Sequence, residues 1–438
     1  MDLTYSAEDR RYREVTRRWL AEHCPVPEPV TLEERRAWHR QLYQAGFVGM
    51  GWPREYGGQG ATPLQQAVVA DEMARIDAPP PINPLGISIV GPTLIVHGTE
   101  AQKQRYLRKI LAADEIWCQL YSEPNAGSDL ASLATRAEDR GDHFAITGQK
   151  IWTSEGPIAD WGLLLARTDS KAPKHRGISC FLISMRQPGV EVRPLRQITG
   201  SARFSEVFLT DARVEKADLV GSLGEGWTIA QTTLSYERGG SSLARVTRYA
   251  AAFQQLVRAT RTLRRGGRPL LDDPVTRGKL GWIYADLEVQ RYAALRVLSA
   301  LQKGEGPGPA SSITKLSYSE FEKRFMELAL DILGPWGQLM PEGADAACGP
   351  VGLPGGSPTI ARVATSSGEA GTWAIAFLWS RAGTIYAGSS EIQKNIIGER
   401  VLGLPREPRL DRFPEPVQRA IKESERARSG RNGRGTGR

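Results

Sequence analysis

Cysteine and histidine are scarce: the 438 residues include four Cys and five His. Cys24, Cys118, Cys180 and Cys348 lie far apart with no Cys-x-x-Cys pair, which excludes a disulfide framework and a zinc site. The histidines are equally scattered, so His-Glu-x-x-His and related spacings are absent and no metal is expected. No apolar run approaches the roughly 18 to 20 residues that a membrane span needs. The N-terminus, MDLTYSAEDRRYREVTRRWL, is charged and amphipathic and has no apolar signal core. A soluble cytoplasmic chain without a membrane span is expected. The Gly-x-x-x-x-Gly-Lys phosphate loop, the Gly-x-Ser-x-Gly elbow and a Gly-x-Gly-x-x-Gly turn between strand and helix are missing too. Gly221, Gly224 and Gly226 have the wrong order and context for the last of these. Most common catalytic classes therefore lose their support.

What is present is a globular composition, 40% hydrophobic and 24% charged, with ample material for a large core. The net charge is +8, from 57 Lys and Arg against 49 Asp and Glu. Much of the excess sits in the last stretch, KESERARSGRNGRGTGR, whose composition cannot bury a core and reads as a disordered tail. No nucleic-acid recognition module is found, so no nucleic-acid partner is expected. A modest positive field suits an anionic small molecule equally well.

The chain changes character twice. Residues 1 to about 115 read as helix: Leu32, Trp38, Leu42 and Phe47 fall near helical spacing, and LQQAVVADEMARI continues the pattern. GWPREYGGQGATP and DAPPPINPLG are breaker clusters between helices. From there to about residue 215, short runs rich in β-branched and aromatic residues recur: HFAITGQKIWTS, DWGLLLARTD, GISCFLISM, VEVRPL and FSEVFLTDARV. They predict an antiparallel β-domain of about seven strands. Helix returns over 226–265, 274–303, 310–333 and 373–383, with another helix in SSEIQKNIIGERVLGL. The Gly-, Pro- and Ser-rich segment 341–371 reads as a long loop.

Three stretches combine small, polar and aromatic residues beyond what packing requires. YSEPNAGSDL offers backbone N–H groups and hydroxyls to a phosphate or a polar ring edge, or simply turns into a strand. GQKIWTSEG sets an indole beside Thr153 and Ser154, which suits a flat cofactor or a β-domain core. In TIYAGSSEIQKNIIGER a Ser precedes a helix, where it caps the helix or helps to hold an anion.

Taken in order, these stretches resemble the acyl-CoA dehydrogenase family of FAD-dependent flavoproteins along almost the whole chain. The resemblance is carried by VGPTLIVHGTEAQKQRYL, YSEPNAGSDLAS, ITGQKIWTS followed by ADW, FSEVFLTDARV, GEGWTIAQTTLSYER and IYAGSSEIQKNIIGERVLGLPRE. It implies an α+β fold: an N-terminal helical domain (1–115), a central antiparallel β-barrel or sandwich (116–222), a C-terminal four-helix-bundle domain (223–405) and a basic tail (406–438). It also implies FAD, an acyl-CoA substrate oxidised to the trans-2-enoyl-CoA, and an electron-transferring flavoprotein or similar acceptor. A carboxylate removes the α-proton while the β-hydrogen leaves as hydride to flavin N5. Positions matching the family's flavin contacts are Tyr121, Ser122 and Ser128, then Trp152, Thr153 and Ser154. Gly388, Ser389 and Glu391 match contacts to the nucleotide half. Ser128, Ser235 and Arg238 match substrate contacts.

The chain departs from the family pattern in three places. Many members carry the catalytic Glu before the Gly of an Ile-Tyr-Glu-Gly motif, and Ala387 stands there. Other members place the base in a Leu-x-x-Glu-Arg pattern, which LSYER matches, making Glu237 the candidate base or else an ordinary ion-paired helix residue. The family's Arg-x-x-Phe-Gly motif toward the neighbouring flavin is replaced by PLLDDPVTRGKLGW, with Arg277 in that region, and Asp331 precedes Gly334 and Gly337 where many members have Gln before Gly-Gly. A homotetramer or dimer is implied, or a heteromer with a related chain in which this one supplies either half. A carrier-protein thioester would need the same chemistry, an oxidase or monooxygenase would need an oxygen-accessible flavin, and a non-catalytic subunit would keep the fold alone.

Overall fold

The computed structural model describes residues 6–26, 29, 31–239, 242–305, 308–309, 311–338, 370–406, 414–417, 419–420 and 423, without the side chains of 237–239 and 370–372. The expected loop at 341–371 falls almost wholly outside these residues, and of the basic tail only 406, 414–417, 419–420 and 423 are described, with helical backbone at 415–417, 419–420 and 423.

The N-terminal region contains α1 (Ala7–His23), α2 (Leu32–Gln44), α3 (Pro63–Arg75), α4 (Gly91–His97) and α5 (Glu100–Ala112). Four of them begin at a capping box, Ser6 with Asp9, Thr31 with Glu34, Thr62 with Gln65 and Thr99 with Gln102, so local sequence sets these helix starts. A π-helical turn, Gly86–Val90, leads into α4, a feature that hydrophobic periodicity does not reveal. Trp38 and Leu42 of α2 pack with Leu107 and Leu111 of α5.

His39 is buried beside that contact. Its Nε2 lies 2.7 Å from the Leu111 carbonyl, and its Nδ1 accepts the Ile82 N–H at 3.2 Å. Only the neutral Nε2–H tautomer satisfies both partners. Burial, with the charges of Arg36 and Arg40 against it, lowers its pKa to about 4. The unfolded chain, with His near 6.5, therefore binds the extra proton first. The stabilising contribution is complete above about pH 6.5 and is lost as pH falls toward 4, by about 3 kcal/mol in all. Denaturant unfolding of His39→Gln across this range is expected to show a shallower acid loss than the wild type. Equal slopes would remove His39 from that role.

The β-domain holds β1 (Trp117–Leu120), β2 (Arg136–Asp139), β3 (His143–Ser154), β4 (Trp161–Arg167), β5 (Ile178–Ser184), β6 (Val190–Leu195), β7 (Phe204–Glu215) and β8 (Leu219–Val220). The sheet runs β6-β7-β3-β2-β4-β5-β8, with β1 beside β4. The five β-rich runs appear as β3 to β7. The expectation of about seven wholly antiparallel strands needs correction: there are eight, and the β1–β4 and β2–β4 pairs are parallel. The chain leaves β1 through the 121–135 loop and forms β2 and β3 before β4 returns alongside β1. β1, β2 and β8 are too short for alternation to mark them.

The C-terminal region comprises α6 (Gly226–Gly239), α7 (Ser242–Thr262), α8 (Pro274–Gln302), α9 (Ser311–Leu333), α10 (Ala370–Gly383) and α11 (Ser390–Ile396). The helix expected over 226–265 is thus two helices on either side of residues 240–241. Helices α7 to α10 share one core built on Tyr249, Phe253, Leu287, Phe321, Phe325 and Trp373. Among the described residues no helix is long and apolar enough to cross a membrane.

Candidate active site

The first two sequence stretches meet at the inner end of β3. The Ile151 N–H donates to the Ser122 carbonyl at 2.9 Å, which lays the 121–128 loop against the strand carrying Trp152 and Ser154. Beneath this junction lies a buried ion pair that sequence reasoning missed. Lys150 Nζ donates to Glu123 Oε1 at 2.8 Å and to the Tyr121 carbonyl at 3.2 Å. The other claims on the Glu123 carboxylate are the N–H groups of Ala134 and Thr135, at 2.6 and 2.9 Å. Burial alone would raise the Glu123 pKa, but Lys150 and these donors together hold it below the ordinary range. Burial lowers Lys150 to about 8, which leaves it protonated at neutral pH. The available signal was Lys150 itself, a cation in register with Phe144 and Ile146 on the inward side of an alternating strand.

Trp152 is 59% exposed and Ser154 half-buried, whereas Thr153 is buried with an Oγ1 that has no partner among the described residues. Trp152 and Glu155 both hold positive φ, +60° and +61°, so the backbone is strained on either side of Thr153 and Ser154. Glu155 is buried, and burial pushes its pKa up to about 7 against the pull of Arg35 and Arg203. Ser122 is half-buried, Ser128 is exposed, and a Cβ on Gly127 would meet nothing within 4 Å. Phe204, the β7 partner of Ser154, stacks on Trp379 of α10 with ring centres 6.2 Å apart and touches Trp152 edge-on. This brings the C-terminal helices onto the same strand ends. Trp379 also escaped the sequence reading, and its buried Nε1 lacks a partner among the described residues.

Tyr121 ties the loop to the helix that carries the candidate base. Its hydroxyl donates to Thr233 Oγ1 on α6 at 3.1 Å, and Thr233 Oγ1 lies 3.0 Å from Thr93 Oγ1 on α4. At the preceding residue of α6, Thr232 Oγ1 and His97 Nε2 of α4 are 2.9 Å apart. Glu237 follows Thr233 by one helical turn and belongs to the last turn of α6. The side chains of Glu237 and Arg238 lie outside the described residues. Ser235 is exposed and donates to the Thr232 carbonyl at 2.7 Å.

The third stretch is tied to α9. Lys315 Nζ donates to the carbonyls of Gly383 and Gly388 at 2.9 and 2.8 Å, and Ser390 Oγ donates to Glu320 Oε1 at 2.8 Å. Gly388 has φ +85°, and a Cβ there would come within 2.5 Å of Gln393 Nε2, so this turn demands glycine. Ser389 Oγ caps α11 by accepting the Ile392 N–H, and Glu391 is exposed on its first turn. The two departures toward a neighbouring flavin are occupied locally. Arg277 Nη1 donates to the Asp272 carbonyl, and Lys279 pairs with Asp331 at 3.0 Å.

Helical, β and helical regions thus meet at an exposed indole, open glycine space and two buried polar atoms without partners among the described residues. The residues fit a flat, hydrogen-bonding group such as FAD: Trp152 offers a platform, and Thr153 Oγ1 and Trp379 Nε1 are polar atoms awaiting partners. The acyl-CoA dehydrogenase N-terminal, middle and C-terminal domain families match residues 6–114, 118–212 and 224–402. The chain is 40% identical over 408 residues to acyl-CoA dehydrogenase IpdE1 of Mycobacterium tuberculosis, covering 90% of this chain and 98% of that protein. It superposes on the Tcur3481–Tcur3483 steroid ACAD with a TM-score of 0.77 at 31% identity, over 93% of this chain and all of that one. For the ChsE4–ChsE5 complex from M. tuberculosis the TM-score is also 0.77, at 28% identity, over 93% of this chain and all of that one. The chain belongs to the acyl-CoA dehydrogenase family.

Proposed function

We propose that this chain oxidises an acyl-CoA thioester to its trans-2-enoyl-CoA, with Glu237 as the base that takes the α-proton. The observation that carries this reading is the pairing of Ala387, which cannot take a proton, with a Glu-Arg pair in the last turn of a helix fastened to the Tyr121 loop through Thr233. Bound FAD supplies the hydride acceptor. The Tyr121, Ser122 and Ser128 loop with Trp152, Thr153 and Ser154 would hold its ring, and Gly388, Ser389 and Glu391 would face its nucleotide half. Ser128, Ser235 and Arg238 are assigned to the CoA ester. The protein's own work is then to hold Glu237 in a dry space, where desolvation raises its basicity, and to orient the thioester against it. Closing the space to water also protects the reacting groups.

The likeness to a steroid ACAD supports a bulky acyl group, and the likeness to Tcur3481–Tcur3483 and to the ChsE4–ChsE5 complex supports a heteromer with a related chain. The exposed side of α8 supports association as well. Val275, Trp282 and Val289 recur every seventh residue at 63%, 77% and 58% exposure. Gly278 and Gly281 lie among them, with nothing within 4 Å of their Cβ positions, so a partner helix could approach closely. An electron-transferring flavoprotein is the proposed acceptor.

The test is the visible spectrum of the purified chain before and after anaerobic addition of straight, branched and steroid acyl-CoA esters. Bleaching of a flavin band by at least one ester is expected, in the chain alone or with its related partner. A flavin that no ester bleaches in either form would overturn the reading.

A further inference from the structure

Three unfavourable features meet where β3 ends. Trp152 and Glu155 both hold a left-handed φ, +60° and +61°, which side chains other than glycine rarely adopt. Glu155 is a carboxyl only 6% exposed. Arg35 of α2 is buried as well, and its Nη1 and Nη2 have no hydrogen-bond partner among the described residues. Strained backbone persists only where its surroundings hold it, and strain and buried charge gather at functional sites.

Three elements close around the Glu155 carboxyl. β3 and β7 pair antiparallel with Thr153 beside Ser205 and Ser154 beside Phe204, so one further step of the same register sets Arg203 across from Glu155. Helix α2 lies against the same turn: Arg36 Nη2 is 3.7 Å from Asp160 Oδ2, and the preceding residue, Arg35, acts on Glu155 electrostatically, as Arg203 does. Cys118 of β1 also lies within its electrostatic reach. The backbone is folded back on the carboxyl's own residue, since the Ile158 and Ala159 N–H groups donate to the Glu155 carbonyl at 3.1 and 3.0 Å. A Cβ on Gly156 would come within 3.0 Å of Ser205 Oγ, so the turn packs directly on β7.

This carboxyl is not kept for general stability. Burial pushes its pKa from the ordinary 4.5 up to about 7, against the pull of Arg35 and Arg203. The folded chain therefore binds the proton more tightly than the unfolded chain. The resulting stabilisation is complete below about pH 4.5 and is lost as pH rises through about 7. At pH 8 the ionised group lowers the stability of the fold while attracting both guanidinium groups.

We propose that Glu155 is a positioning residue of the flavin site: its carboxylate, set between Arg35 of α2 and Arg203 just before β7, holds the left-handed turn that presents Thr153 and Ser154 to the cofactor. This rests on the assignment of Thr153 and Ser154 to the flavin ring made above. It adds that the N-terminal helical domain, through Arg35, takes part in shaping the flavin site.

The test uses the full flavin-loaded chain, with its related partner if only the pair holds flavin. Release on dilution, read as the rise in flavin fluorescence, gives a dissociation constant between pH 6 and 8.5, and far-UV circular dichroism confirms that each variant is folded. Wild-type binding is expected to tighten as pH rises through about 7, where Glu155 ionises. Glu155→Gln, which keeps the shape and removes the charge, should bind flavin about tenfold more weakly at pH 8 and lose this pH dependence. Glu155→Asp, which keeps the charge on a shorter stem, should bind more tightly than Glu155→Gln. Arg35→Met should also weaken binding, and the double variant with Glu155→Gln should be no weaker than the weaker single, because the two act as one unit. Binding by Glu155→Gln within about twofold of the wild type, or the same pH dependence in both, overturns the role and leaves the flavin assignment standing. Additive losses in the double variant, or Glu155→Asp binding more weakly than Glu155→Gln, assign Glu155 to packing alone and overturn it too. A wild type that holds no flavin, alone or with its partner, overturns this proposal and the flavin assignment together.

Discussion

Glu237→Gln is expected to keep its flavin spectrum and to lose bleaching by acyl-CoA, by about 10²- to 10⁴-fold or to below detection. Gln preserves the size and hydrogen-bonding reach of Glu but cannot accept the α-proton. The helix holding it is anchored one turn earlier by Thr233, which meets Tyr121 and Thr93 and does not depend on position 237. Folding and flavin content should therefore stay at wild-type levels, and the ester should still bind and perturb the flavin band. Anaerobic stopped-flow bleaching separates binding from chemistry here. Unchanged bleaching rates would remove Glu237 as base and direct attention to the other carboxyls of the helical domain. A double variant with Ala387→Glu offers a second reading of the same question. Recovery of bleaching there would place the reacting carbon within reach of both positions.

Lys150→Met is expected to act through stability. The substitution keeps an unbranched side chain inside β3 but leaves the buried Glu123 carboxylate without its cation, at a cost of about 3–5 kcal/mol. Two consequences follow from the bonds the pair makes. The Tyr121 carbonyl loses its donor, and the loop that also receives Ala134 and Thr135 is no longer pinned to the strand. Flavin should be lost at a lower denaturant concentration than in the wild type, together with or before global unfolding. Adding Glu123→Gln to Lys150→Met should recover part of the loss, because an amide is far cheaper to bury than an unpaired carboxylate. Equal denaturation midpoints for Lys150→Met and the wild type would show that the pair contributes nothing net.

Much of the architecture was legible because its signals are local. Ser6, Thr31, Thr62 and Thr99 each cap a helix through a residue three positions on, so both halves of the device lie in one short segment. The run HFAITGQKIWTS corresponds residue for residue to β3, since β-branched and aromatic residues fill it and turn residues bound it. The short strands Trp117–Leu120, Arg136–Asp139 and Leu219–Val220 were missed, because two to four residues cannot display a period. The parallel pairing of β1 and β2 with β4 is a property of the path between strands, which no single strand encodes.

The candidate site divides in the same way. The sequence by itself determined the family, the order of the three regions and the identity of the loops around Tyr121, Trp152 and Gly388, because these are contiguous motifs. It also showed the missing carboxylate at Ala387. Only the tertiary structure decided which residues support those loops. Lys150 is 27 positions from Glu123, Tyr121 is 112 from Thr233, and the Trp379 indole stacks on a Phe204 ring from another domain. Glu155 reads in sequence as one more charge in a turn. Its burial and the two guanidinium groups around it exist only once α2, β3 and β7 have closed on it, since desolvation and electrostatic attraction are set by neighbours in space rather than along the chain.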